Sequence, residues 1–155
     1  MVMGARTALT VDLAGLRVAI TGAAGGIGRV LADGFVTCGA RVFVSDIDAG
    51  ALAGCGHAGQ VADAGDAAAM EGFVDAAVAH LGGLDVLVNN AGIAGPTKPV
   101  EEVTPEELDA TLRIDLAAMF HTARRAVAPL RAAGGGSIIN LSSAAGRFGF
   151  PLRSP

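Results

Sequence analysis

The chain has 155 residues and a mass of 15.3 kDa, which is the usual length of one domain. Hydrophobic residues make up 52% of it and charged residues 17%, a composition that excludes intrinsic disorder. The formal net charge of −4 argues against a basic surface that binds nucleic acid. Because no segment approaches the roughly 18–20 apolar residues of a membrane span, we expect no membrane partner either.

The cysteines and the N-terminus indicate the compartment. Cys38 and Cys55 are the two cysteines, and neither lies in a Cys-x-x-Cys pair or near other metal-ligating residues. We therefore expect reduced thiols, no disulfide framework and no metal site. Residues 1–15 lack the apolar stretch of a signal peptide, which predicts a cytoplasmic location.

From Leu16 onward, short apolar runs alternate with segments of helical spacing. Leu16–Thr21 predicts a buried strand, because it is apolar on both faces and ends at a glycine-rich turn. Gly26–Cys38 has the spacing of an amphipathic helix, which Gly39 closes. Arg41–Ser45 predicts a second buried strand with Asp46 at its end.

The middle of the chain continues this alternation. Ala49–Gly54 predicts one weak helical turn, and Gln60–Ala62 predicts a short third strand that ends at Asp63. Ala67–Leu81 carries an apolar stripe at helical spacing, and Asp85–Val88 predicts the fourth strand.

The last part of the chain predicts one long helix and a fifth strand. Thr104, Pro105 and Glu107 have the form of a helix start, with a capping side chain, a proline at the first position and an acid at the third. The helix is expected to run to about Ala132, and Ser137–Leu141 is expected to form the fifth strand.

This order of elements predicts the fold class. Strands that alternate with helices are typical of parallel strands joined by right-handed crossovers. We expect an α/β fold, a Rossmann-like doubly wound parallel sheet with about five strands. Residues 1–15 are expected to form an N-terminal lead, and residues 16–155 a single domain.

The glycine-rich segment Thr21–Gly28 lies where the first strand passes into the first helix. A phosphate can approach a helix N-terminus closely when no Cβ atoms are in the way, and free N–H groups and the helix dipole then favour its charge. A turn of this kind also arises by composition alone, since the chain has 23 glycines. A P-loop is excluded, because no Lys-Ser or Lys-Thr pair follows the glycines.

Asp46 follows Gly28 by 18 residues and stands at the end of the second strand. An acid at this place can bind the ribose hydroxyls of a dinucleotide, and its charge repels a 2′-phosphate. The pattern therefore favours NAD over NADP. The alternative is a solvated loop carboxylate without a ligand.

Three motifs together resemble the short-chain dehydrogenase/reductase family. Thr21–Gly28 matches its Thr-Gly-x-x-x-Gly-x-Gly turn at every fixed position, Asn89–Gly92 matches its Asn-Asn-Ala-Gly, and Ser142–Gly146 looks like its Ser-Ser-x-x-Gly. The resemblance spans residues 16–155 and stops just before the family's Tyr-x-x-x-Lys motif. It implies an NAD-binding domain that is incomplete at its C-terminus and lacks the family's last strands and helices.

The resemblance also implies which residues bind the cofactor. It assigns the pyrophosphate turn to Gly22, Gly26, Ile27 and Gly28. It assigns the adenosine ribose to Asp46, the adenine amino group to Asp63, and the borders of the two riboses to Asn90, Ala91 and Gly92. Asn89 is expected to brace the sheet instead.

For catalysis, the resemblance implies that the Ser143 hydroxyl polarises the substrate carbonyl or holds the alcohol during hydride transfer. The family's tyrosine, which moves the proton with help from a lysine, would fall near position 156. The chain contains no tyrosine, and its single lysine, Lys98, lies far from the required spacing. Asp115 occupies the slot in which the family usually has a water-ordering asparagine.

The expected function is therefore an NAD-dependent oxidoreductase that transfers a hydride between NAD and a small alcohol or carbonyl substrate. This chain is expected to be its cofactor-binding N-terminal portion and to be inactive alone, and a full-length form is expected to be a homo-oligomer. The alternatives are a non-catalytic NAD-binding or regulatory module and a non-functional truncated product.

Overall fold

A computed structural model describes residues 11–152 of the chain, so most of the predicted N-terminal lead lies outside the described residues. Five parallel strands form one sheet in the order β3-β2-β1-β4-β5. The strands are β1 (Arg17–Ile20), β2 (Arg41–Asp46), β3 (Gly59–Val61), β4 (Val86–Asn89) and β5 (Ser137–Asn140). This order confirms the predicted Rossmann-like, doubly wound sheet.

The helices connect the strands as the alternation predicts. They are α1 (Gly26–Thr37), α2 (Ala49–Gly54), α3 (Ala67–Leu81), α4 (Pro105–Leu112) and α5 (Ala118–Ala132). The predicted start at Thr104 is confirmed, because its side chain and that of Glu107 form a reciprocal capping box with Pro105 at the first turn. Two short 3₁₀ helices, Val100–Glu102 and Ala144–Gly146, were not predicted.

The prediction of one regular helix from Pro105 to about Ala132 was wrong in one respect. A π-helical turn, Arg113–Ala117, separates α4 from α5. The turn carries Asp115 at its centre, and the Asp115 carboxylate accepts the N–H of Ile93 at 2.8 Å. π-helical turns inside helices are rare and are frequently found at functional sites, and apolar spacing does not reveal them.

Two apolar clusters pack on the two faces of the sheet. Alternate residues of β1 serve both: Val18 and Ile20 belong to the cluster under α1, and Ala19 belongs to the cluster under α3 and α5. Phe73 and Leu87 are fully buried in the latter. The result is a three-layer α/β/α arrangement with the carboxyl ends of the strands at one edge.

Asn89 is buried at the end of β4 and joins three elements. Its amide nitrogen donates to Asn140 Oδ1 at 2.8 Å, and its Oδ1 accepts the Thr122 hydroxyl at 2.7 Å. These contacts tie β4 to β5 and to α5, which is the bracing role expected for Asn89. Within residues 11–152, each helix is too short or too polar to cross a lipid bilayer.

Candidate functional site

The glycine turn begins directly after β1 and is closely packed from below. Gly22 has a φ of +62°, and a Cβ there would lie 2.8 Å from Ala91 Cα. Gly28 is buried, and a Cβ on it would overlap the Gly22 carbonyl oxygen and the Asn90 amide. Only glycine lets these backbone segments approach each other so closely.

Above the turn, the start of α1 is open. A Cβ on Gly25 or Gly26 would meet no atom within 4 Å. The first backbone bond of the helix runs from the Arg29 N–H to the Gly25 carbonyl, and no described side chain caps this end. The N–H groups of residues 26–28 therefore lack helical acceptors, and an anion such as a phosphate suits them.

Hydrogen bonds from the end of β4 hold the turn in place. Thr21 Oγ1 accepts the backbone N–H of Asn90 and that of Ala91, both at 3.0 Å. The Asn90 amide nitrogen donates in turn to the carbonyl oxygens of Thr21 and Gly22, at 3.0 and 2.8 Å. The motif after β4 thus positions the turn after β1.

Two carboxylates stand at the neighbouring strand ends. Asp46 closes β2, where its Oδ2 accepts the Ala24 N–H at 3.0 Å and its Oδ1 accepts the Asp48 N–H at 3.1 Å. Asp63 follows β3, where its Oδ1 accepts the Gly65 N–H at 2.7 Å. A carboxylate has about four lone-pair sites, so both groups can accept further hydrogen bonds from a ligand.

These features border one cleft of about 440 Å³. The predicted cofactor residues that line it are Gly22, Gly26, Ile27, Asp46, Asp63, Asn90, Ala91 and Gly92. Gly28 does not line it, because it is buried beneath the turn.

Several lining residues were not predicted. They are Gly25, Ser45, Ile47, Ala62, Ala64, Met70, Ile93 and Ile114. Ile47 and Ile93 directly follow predicted motifs, and adjacency could have identified them. Met70 and Ile114 reach the cleft from α3 and the π-helical turn, and no motif in the sequence marks them.

A second cleft, of about 760 Å³, contains the two predicted catalytic positions. Ser143 caps the last 3₁₀ helix, where its Oγ accepts the Ala145 N–H at 3.2 Å. Asp115 faces it from the π-helical turn. The two clefts meet, because Ile27 and residues 90–93 line both.

Lys98 lines neither cleft. Its ammonium group pairs with the Glu107 carboxylate at 2.7 Å and holds the pKa of that carboxyl below its usual range. Within the part of the chain that the structure describes, no group of three or more His, Cys, Asp or Glu side chains is placed to hold a metal ion.

Comparison with known proteins connects this geometry to dehydrogenases. The chain is 38% identical to D-threitol dehydrogenase of Mycolicibacterium smegmatis over 135 residues, which cover 81% of this chain and 52% of the relative. It is 37% identical to cis-4-hydroxycyclohexanecarboxylate dehydrogenase of Sinomonas cyclohexanicum, covering 86% of this chain and 57% of the relative. The chain spans about half the length of the curated relatives it matches.

Solved structures show the same fold. The crystal structure of levodione reductase superposes with a TM-score of 0.87 at 29% identity, covering 91% of this chain and 59% of that one. An NAD⁺-bound xylitol dehydrogenase gives a TM-score of 0.83 at 28% identity, covering 90% and 57%. The sequence pattern described as "short chain dehydrogenase" matches residues 17–155. The chain therefore belongs to the short-chain dehydrogenase family of oxidoreductases.

Proposed function

We propose that this chain binds NAD and forms the cofactor-binding part of an oxidoreductase that interconverts an alcohol and a carbonyl. The observation that carries the proposal is the Asp46 carboxylate, which stands beside the open start of α1 in one cleft. A dinucleotide has a ribose diol next to its pyrophosphate. The carboxylate suits the diol, and the free N–H groups suit the pyrophosphate.

The residues present fit NAD along the first cleft. The open space over Gly25 and Gly26 leaves room for phosphate oxygens to reach the N–H groups of α1. Asp46 would accept the adenosine ribose hydroxyls, and Asp63 would accept from the adenine amino group. Asn90, Ala91 and Gly92 would then border the passage to the second cleft.

The charge at Asp46 favours NAD over NADP. Both carboxylate oxygens are already oriented by backbone N–H groups, so the side chain would have to leave two hydrogen bonds to move away from a 2′-phosphate. Among the residues that the structure describes, no arginine or lysine lines the first cleft to neutralise such a phosphate. A 2′-phosphate would therefore face an uncompensated carboxylate.

Calorimetric titration with NAD⁺ and NADP⁺ tests this proposal. Wild-type protein should bind NAD⁺ more tightly than NADP⁺. Asp46→Asn should weaken NAD⁺ binding about tenfold and so bring the dissociation constants for NAD⁺ and NADP⁺ closer together. Asp109→Asn is the matched control, because Asp109 is exposed on α4 and lines neither cleft. Equal affinity for the two dinucleotides in the wild type would contradict the proposal.

In the second cleft, Ser143 would bind the substrate oxygen. Its Oγ accepts the Ala145 N–H, which leaves the hydroxyl proton available to donate to a carbonyl. When bound, NAD supplies the hydride donor or acceptor of the reaction. The remaining requirement is a group that moves a proton at the substrate oxygen.

Within residues 11–152, the tyrosine–lysine pair that the family resemblance implies for this role does not line the second cleft. The 155 residues include no tyrosine, and Lys98 is paired with Glu107 outside both clefts. We therefore expect no turnover by the chain alone. A panel of alcohols and ketones with NAD⁺ or NADH tests this expectation, and turnover that Ser143→Ala abolishes would contradict it.

A second candidate is a non-catalytic NAD-binding or regulatory module, for which the open start of α1 beside Asp46 would serve equally well. Both candidates predict saturable NAD binding, so binding alone does not separate them. Sequencing of the transcript beyond the Pro155 codon does. An in-frame Tyr-x-x-x-Lys directly downstream would support the dehydrogenase, and a stop codon would support the module or a non-functional product.

We also propose that a second copy of the chain covers the outer side of α4 and α5, since family members commonly oligomerise. Leu112, Leu116 and Phe120 recur at four-residue spacing and are 43%, 63% and 65% exposed. Such a stripe is unusual on a solvated helix. Sedimentation velocity should show dimers that Phe120→Glu dissociates, and a monomeric wild type would contradict this.

A further inference from the structure

Asp115 places a negative charge in the second cleft. Of the described side chains that line this cleft, Asp115 alone carries a charge. No described lysine, arginine or histidine nitrogen lies within 4.0 Å of its carboxylate. Within residues 11–152, no neighbouring side chain therefore neutralises this charge.

A single hydrogen bond orients this carboxylate. Its Oδ1 accepts the Ile93 N–H at 2.8 Å, and this bond connects the π-helical turn to the segment that follows β4. A Cβ on Gly92 would lie 3.3 Å from the same oxygen. The carboxylate therefore stands at the passage where the two clefts meet, and its Oδ2 has no hydrogen-bond partner among the described residues.

The two forms of NAD differ in charge at one end. The oxidised nicotinamide ring is a cation, and the addition of one hydride, a proton with two electrons, makes it neutral. A dinucleotide with its adenosine half in the first cleft would extend along the residues shared by the two clefts toward the second, which Asp115 lines. A carboxylate attracts the cation and has no comparable attraction for the neutral ring.

We infer that Asp115 makes the site discriminate between the oxidation states of the cofactor, strengthening the binding of NAD⁺ relative to NADH. This inference rests on the proposed NAD binding. For one unit charge at a partly solvated cleft, the expected effect on the ratio of the two dissociation constants is about fivefold. The bound cofactor is correspondingly harder to reduce than it is beside a neutral residue.

The test compares the binding of NAD⁺, NADH and ADP-ribose by calorimetry. In Asp115→Asn, the amide oxygen can still accept the Ile93 N–H, so the local structure is retained and only the charge is removed. We expect about fivefold weaker NAD⁺ binding, with NADH and ADP-ribose changed by less than about twofold. Asp109→Asn, which removes an equal charge from the exposed face of α4, should leave all three ligands unchanged.

A measurement on the wild type alone gives a second readout. Because salt screens the attraction, the preference for NAD⁺ over NADH should decrease as ionic strength rises, while ADP-ribose provides the reference for effects on the adenosine end. If all three ligands bind but the ratio is the same in Asp115→Asn and insensitive to salt, this inference is overturned and the proposed function stands. If the wild type binds neither ADP-ribose nor NAD⁺, both are overturned.

Discussion

Asn90 and Thr21 are joined by two hydrogen bonds of 3.0 Å, one from the Asn90 N–H to Thr21 Oγ1 and one from the Asn90 amide nitrogen to the Thr21 carbonyl oxygen. The two residues follow adjacent parallel strands, β4 and β1. The glycine turn is thus positioned by the next strand of the sheet, in addition to its own backbone conformation.

Replacement of Thr21 tests this connection. Thr21 is 3% exposed, and Thr21→Val would leave the N–H groups of Asn90 and Ala91 without their acceptor. We expect the free energy of unfolding to fall by about 1–3 kcal/mol and the affinity for NAD⁺ to fall with it. Urea denaturation and calorimetric titration measure the two effects.

Thr21→Ser is the matched control for that variant. It keeps the hydroxyl and removes one methyl group, so both N–H groups retain their acceptor. We expect its NAD⁺ affinity to stay near the wild-type value. Equal losses of affinity in Thr21→Ser and Thr21→Val would show that the hydroxyl does not position the turn.

Gly28 and Gly34 lie in the same helix, and we expect their replacement by alanine to change the stability of the protein in opposite directions. A Cβ on Gly28 would overlap backbone atoms of the turn, whereas a Cβ on Gly34 would meet nothing within 4 Å. Gly28→Ala should destabilise the protein by about 1–3 kcal/mol and weaken NAD⁺ binding. Gly34→Ala should stabilise it by about 0.5–1 kcal/mol, because alanine restricts the unfolded chain and favours the helix. Thermal unfolding of both variants checks the prediction, which fails if the two shifts have the same sign.

The Asp85 carboxylate predicts a pH dependence of stability. Its two oxygens accept bonds of 2.8 Å from the Arg17 Nε and Nη2 and one of 2.9 Å from the Arg17 backbone N–H. These bonds hold the pKa of Asp85 below its usual range. The stabilisation is therefore complete above the unfolded pKa of about 4 and is lost as the pH falls through the lower folded value.

We expect Asp85→Asn to lower the free energy of unfolding near neutral pH and to flatten its decline as the pH falls below the unfolded pKa of about 4. Urea denaturation at a series of pH values measures this. Asp75→Asn is the control: Asp75 pairs with Arg125, both side chains are 52% exposed, and exposed pairs contribute little. The prediction is wrong if the free energy of unfolding of Asp85→Asn declines as steeply at acid pH as that of the wild type.

Thr122 tests the brace inside the sheet. Its hydroxyl is buried and donates to Asn89 Oδ1 at 2.7 Å. Thr122→Val keeps the shape of the side chain but leaves the amide oxygen without this donor, at a cost of about 1–3 kcal/mol. Thr122→Ser retains the hydroxyl and should lose less. Urea denaturation measures the free energy of unfolding of both variants, and a Thr122→Ser variant less stable than Thr122→Val would contradict the prediction.

Much of the fold could be predicted because periodicity and turn chemistry are local. The predicted ends of β1, α1 and β4 lie within one residue of those observed, since apolar runs and glycines mark them. The π-helical turn could not be predicted in this way. Arg113–Ala117 has an ordinary helical composition, and what distinguishes it is the contact between Asp115 and Ile93, 22 residues away.

In the candidate site, too, features set by local sequence could be predicted, and features set by contacts between distant residues could not. The positions of Asp46 and Asn90 were predictable because Asp46 ends β2, Asn90 directly follows β4, and the carboxyl ends of parallel strands meet at one edge of the sheet. The burial of Gly28 was not, because its surroundings depend on Asn90, which is distant in the chain. Asn90 was expected to border the riboses, which stays a prediction; the bonds of its amide nitrogen to two carbonyl oxygens of the turn were not predicted.

Because β1 lies between β2 and β4, its register with these two strands fixes the relative positions of the site residues. Ile20 is level with Val44 of β2 and with Val88 of β4, so the turn, Asp46 and Asn90 emerge at nearly one height. A slip of β1 by one residue would displace the turn by about 3.3 Å and exchange the two faces of the strand. Any sequence change that alters the length of β1 would therefore disturb the site and the core together, whereas length changes in the loop before Val100 would leave that register intact.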